Sequence, residues 1–191
     1  IGAAVFPDDG NDAETLMRNA ESALRQARTS MQAFVFYDAV MNAHANESLT
    51  MESKLRRAIE REEFVLHYQP KVSIGDRKIC GVEALIRWQD PDSGLIPPIK
   101  FISVLEETGL ICTVGKWALQ RALADLADWR AAGAPAIRVA VNVSSLQLNQ
   151  PNFVEQIAAL VGERHDEELE LEITESVIMD DVDQKIGMLS K

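Results

Sequence analysis

Three apolar stretches carry side chains whose types and spacing could hold a charged ligand: Glu83 and Arg87 in GVEALIRW, Asn142 in IRVAVNVS and Glu172 in LELEITES. Successive strand residues point to opposite faces, so each stretch divides into an apolar and a polar side. Gly81, Glu83, Leu85 and Arg87 share one face, opposite Val82, Ala84, Ile86 and Trp88. In the second stretch Val139, Val141 and Val143 oppose Arg138, Ala140, Asn142 and Ser144; in the third Leu169, Leu171 and Ile173 oppose Glu170, Glu172 and Thr174. If the apolar faces meet outer helices, Glu83, Asn142 and Glu172 converge on an interior. A charge placed there needs a partner, a metal or a ligand.

Two carboxylates and an amide oxygen, without thiolates or a histidine cluster, suit a hard divalent ion such as Mg²⁺ or Mn²⁺. The same residues could instead satisfy one another as ion pairs, and spacing alone leaves both possibilities open. One such pair is hypothesised: Arg138 with Glu170, each neutralising the other. His67 shares a face with Gln69, but a lone histidine is more often structural.

Positioning these residues requires alternating strands and helices. From Thr50 the order is helix MESKLRRAIEREE, strand FVLHYQPKVSI, the turn GDRK and strand KICGVEALIRW, the last two strands reading as an antiparallel hairpin. The loop QDPDSGLIPP leads to helical IKFISVLEETGL and VGKWALQRALADLADWRAAG, with Gly133 as the stop signal. Strand IRVAVNVS, helix NFVEQIAALVGER and strand LELEITES follow. This alternation specifies an α/β fold with a parallel sheet, and the absence of a glycine-rich phosphate loop after any strand favours a barrel over a dinucleotide fold. Residues 1–42 form a separate strand, helix and strand, and the polar stretch 43–50 reads as a linker to residues 51–191.

Composition narrows the partners. The 191 residues carry a net charge of −11, which argues against a nucleic-acid polymer. Two cysteines, Cys80 and Cys112, give no disulfide framework and point to a reducing compartment, taken to be the cytoplasm. No apolar run approaches a membrane span, so no membrane contact is expected from this segment.

The motifs YQP, EALIRW, FISVLEETGLI, VNVSSLQL and LELEITES resemble, in order and approximate spacing, the EAL-domain phosphodiesterases of cyclic di-GMP. The resemblance implies a TIM-barrel-like fold with an antiparallel first strand, and hydrolysis of cyclic di-GMP to pGpG assisted by Mg²⁺ or Mn²⁺. It implies Glu83, Asn142 and Glu172 as metal ligands, Gln69 and Arg87 as substrate contacts, and Glu175 as the support of a neighbouring loop. Glu106 matches an acidic position near the site. The stretch IGAAVFPDDGNDAETLMRNAESALRQAR resembles the C-terminal end of a GGDEF (diguanylate cyclase) domain, implying a tandem GGDEF-EAL parent.

About four barrel strands are countable where eight are needed, so the barrel is expected to be cut after about half its length. The parent is then the expected enzyme, with this chain alone inactive and prone to form a homo-oligomer or to take up a complementing chain along its open edges. A non-catalytic cyclic di-GMP receptor or signalling scaffold is the alternative.

Overall fold

The computed structural model describes residues 1–162 and 168–173. The chain divides into two compact units, Ile1–Lys54 and Leu55–Lys191.

In the first unit, β1 (Gly2–Ala3) and β2 (Val35–Phe36) pair in parallel, joined through helix α1 (Ala13–Thr29). Helix α1 starts at Asp12, whose carboxylate accepts the Thr15 backbone N–H at 2.8 Å, the arrangement that satisfies an otherwise unpaired first-turn donor. Ala23 and Ala27 are buried. Helix α2 runs from Ala39 to Glu60. Residues 43–50, read from the sequence as a linker, are helical and lie inside it: the stretch is polar but holds neither glycine nor proline, so nothing in it breaks a helix.

Among the described residues, the second unit is built on a five-stranded sheet. Strands β3 (Phe64–Val72) and β4 (Ile79–Asp90) form the expected antiparallel hairpin, with Gln69 opposite Glu83 and Val65 opposite Arg87. A short β5 (Gly94–Ile96), inside what the sequence suggests is a loop, folds back antiparallel on the end of β4. Only three residues long and flanked by turn residues, it carries too little alternation to be read as a strand. Strands β6 (Arg138–Val143) and β7 (Leu169–Ile173) then add in parallel, giving the order β3-β4-β6-β7 with β5 on β4.

Parallel neighbours need helical crossovers. A 3₁₀ turn at Pro98–Lys100, α3 (Ile102–Glu107) and α4 (Ile111–Ala131) lead from β5 to β6. Helix α4 ends where Gly133 takes φ +87°, and the N–H groups of Gly133 and Ala134 bond back to the carbonyls of Arg130 and Trp129, so the glycine stop signal was legible. Helices α5 (Ser145–Leu148) and α6 (Phe153–Val161) connect β6 to β7. Short α5 is set by a reciprocal cap between Ser144 and Gln147.

The core lies on the apolar side of the sheet. Val82, Ala84, Val139 and Val141 pack against Leu119, Ala122 and Leu126 of α4, with Leu169, Leu171 and Ile157 alongside. Tyr68 belongs to this side and donates from its hydroxyl to Asp125 at 2.6 Å, while Arg121 pairs with the same carboxylate at 2.8 Å. Burial first, then that hydrogen bond, pushes the Tyr68 phenol well above its ordinary pKa.

Candidate functional site

With the apolar side committed to the helices, the opposite parity collects on the other face. Cross-strand register sets Gln69 beside Glu83, Glu83 beside Ala140, and Asn142 beside Glu172. The Asn142 amide Nδ2 donates to Glu83 Oε1 at 2.8 Å. Two of the three expected oxygen donors are therefore in contact, and the third is the register partner of one of them.

Glu172 is held by a residue the motif reading did not single out. Lys71, two positions beyond Gln69 and so on the same face, places Nζ on Glu172 and 3.5 Å from Glu170 Oε2. The Glu172 hydrogen bond holds the lysine above its usual pKa. Arg138 Nη1 lies 2.7 Å from Glu170 Oε1, as expected of that pair. Neighbouring strands lie about 4.8 Å apart, so β3 and β7 would be roughly 14 Å apart in a flat sheet. Contact between Lys71 and Glu172 therefore spans the face of the two intervening strands, with both side chains reaching toward each other across β4 and β6. Gly81, opposite Lys71 in register, presents bare backbone; a Cβ there would come within 3.0 Å of the Arg138 carbonyl oxygen.

Parity could have found Lys71: it is the cation at the next inward position after Gln69. What parity could not give was its partner.

The remaining candidates are less closely joined. The Arg87 guanidinium donates from Nη1 to its neighbour's carbonyl, Ile86 O, at 2.8 Å, and no carboxylate among the described residues pairs with it. Among the described residues, its planar fork is thus not engaged by an acid. Gln69 is exposed on the polar face. Glu106, on α3, is half-buried, and burial raises its carboxyl pKa; no hydrogen bond among the described residues links it to Glu83, Asn142 or Glu172. Glu175 lies outside the described residues.

Among the described residues, no three His, Cys, Asp or Glu side chains gather closely enough to hold a metal by themselves. A divalent ion here would depend on Asn142 as the third donor. The donor chemistry fits: two carboxylates and an amide suit a hard ion, and a half-turn of the amide brings its oxygen forward about a torsion that is broad and nearly two-fold. A cavity of about 440 Å³, lined by Ile59, Phe64, Cys112, Trp117 and Gln156 among others, includes none of the candidate residues. Both cysteines are free thiols, and burial pushes the Cys112 thiol up.

The antiparallel first pair of strands that the EAL resemblance implies is present, with Glu83, Asn142 and Glu172 on one face of the sheet. Residues 52–190 match the EAL-domain family, and the chain belongs to it. Among curated proteins, the chain is 39% identical over its full length to the bifunctional diguanylate cyclase/cyclic di-GMP phosphodiesterase MucR of Pseudomonas aeruginosa, covering 28% of it. It is 33% identical, again over its full length, to the cyclic di-GMP phosphodiesterase PdeR of Escherichia coli, covering 29% of that protein. The chain thus spans between a quarter and a third of the length of these two relatives.

Of solved structures, the MucR phosphodiesterase in complex with c-di-GMP superposes with a TM-score of 0.69 at 39% identity, over 74% of this chain and 58% of that one. The EAL enzyme Bd1971 in its cGMP-bound form gives 0.70 at 26% identity, over 93% of this chain and 50% of that one. Among the described residues, no helix is long and apolar enough to cross a membrane.

Proposed function

We propose that this chain supplies half of the catalytic site of a metal-dependent phosphodiesterase that hydrolyses cyclic di-GMP to pGpG, within a longer tandem GGDEF-EAL protein. The observation that carries the reading is the contact of Glu83 with Asn142 at 2.8 Å, with Glu172 beside Asn142 in register, on the inner face of an EAL-family sheet.

Glu83, Asn142 and Glu172 would hold Mg²⁺ or Mn²⁺. When bound, such an ion supplies Lewis-acid stabilisation of charge on the phosphodiester and activates the attacking water. Arg87 is the residue for a substrate phosphate, because its fork presents paired donors and no acid among the described residues competes for them. Gln69, exposed beside Glu83, orients the substrate through its amide, and Glu106 borders the site. Glu175 supports a neighbouring loop, by its position in the EITE motif.

Residues 1–42 are assigned to the end of a GGDEF domain; the parallel strand pair bridged by α1 supports this. Inactivity of the 191-residue chain alone is part of the proposal. The outer edges of β3 and β7, unpaired among the described residues, are where further strands of the same chain, or of a second copy, would add.

The test is cyclic di-GMP hydrolysis, with pGpG read by chromatography, using this chain and a longer protein that completes the barrel. Each is assayed with Mg²⁺, with Mn²⁺ and with chelator. Metal-dependent turnover by the longer protein alone, lost by at least about a hundredfold in Glu83→Ala, is expected. Nucleotide binding without turnover by either protein would replace the enzyme with a receptor.

A further inference from the structure

We propose that Lys71 is a built-in counter-cation: its ammonium occupies Glu172 until a divalent ion displaces it onto Glu170, and so it sets the metal affinity of the site. The inference rests on the metal-binding reading of Glu83, Asn142 and Glu172.

Three observations converge on it. Of the three oxygen donors, Glu83 is already engaged by an amide that can turn its oxygen forward, whereas Glu172 is held by a full positive charge. Displacing that charge does not strand it, because Glu170 Oε2 lies 3.5 Å from the same Nζ. Arg138, 2.7 Å from Glu170 Oε1, keeps that second acceptor in place. The result is a pair of acids that share one mobile cation, with a second cation fixing the acid that receives it.

Lysine suits the part. Its ammonium is a compact charge on a flexible four-carbon stem, able to move between two acceptors, where an arginine fork would be tied to one geometry. An ion that binds Glu172 must first displace the lysine, so its apparent affinity is lowered in proportion to the time Glu172 spends occupied. A structural brace predicts the reverse, since losing a brace loosens the ligands and weakens binding.

The experiment is titration calorimetry of Mn²⁺ into the 191-residue chain and its Lys71→Met, Lys71→Gln, Lys71→Arg, Arg138→Met and Glu172→Gln variants, with circular dichroism confirming that each is folded. Lys71→Met should bind Mn²⁺ about three- to tenfold more tightly than wild type, and Lys71→Arg no more tightly. Lys71→Gln repeats the test should the methionine variant fail to fold. Arg138→Met removes the same charge but leaves Lys71 shared between Glu172 and a now unpaired Glu170, so Glu172 is freed only in part and the gain should be smaller. Equal gains in Arg138→Met and Lys71→Met would overturn displacement in favour of a general charge effect. Unchanged or weaker binding in Lys71→Met, with Glu172→Gln abolishing the wild-type signal, would overturn the role of Lys71 and leave the metal site standing. Absence of Mn²⁺ binding in wild type and every Lys71 variant would sink both.

Discussion

The two faces of the sheet share the same strands and obey opposite rules. On the outer face, Val82, Val139 and Val141 meet Leu119 and Leu126 of α4 and exclude water, so their contribution scales with apolar area. On the inner face, Glu83, Glu170 and Glu172 meet Asn142, Arg138 and Lys71, and the contacts are charged and partly exposed. Such pairs contribute little net stability in water. The outer face therefore carries folding, and the inner face is free to serve a ligand.

The sharpest way to break that division is Leu126→Ala. Leu126 is 1% exposed within the α4 contact, and its truncation should cost about 2–5 kcal/mol in urea unfolding. A loss below about 1 kcal/mol would mean that the outer face is not the core.

A middle effect is expected at Tyr68, the polar exception on the outer face. Tyr68→Phe removes its hydrogen bond to Asp125 but leaves the ion pair with Arg121, and should cost about 1 kcal/mol. The pH dependence carries a definite sign. The folded phenol keeps its proton above the ordinary pKa of 10.0, so the folded state binds more protons than the unfolded one as pH climbs past about 10. Stability should fall with rising pH in that window, and less steeply in Tyr68→Phe. Equal slopes in both proteins would locate the alkaline sensitivity elsewhere.

The smallest effect belongs to the inner face. Arg138→Ala breaks the 2.7 Å pair with Glu170 and should change stability by under about 1 kcal/mol. A loss as large as that of Leu126→Ala would erase the distinction between the faces.

Much of this was legible because strand parity is local. Alternation in GVEALIRW, IRVAVNVS and LELEITES assigned Glu83, Asn142 and Glu172 to one face, and the pairing of Arg138 with Glu170 followed from their matching polar positions. The hairpin joining β3 to β4 and the stop at Gly133 were equally readable, since turn and cap chemistry depends on a few adjacent residues. Strand β5 and helix α5 were not, being too short for any period to register.

The sequence by itself determined which side chains share a face, because alternation is a property of the extended backbone. Only the tertiary structure decided which of them touch. Lys71 and Glu172 are separated by 101 residues and lie on strands that a flat sheet would hold apart. The strand order and the cross-strand register bring them together, and both are long-range pairings that no local pattern in either strand specifies.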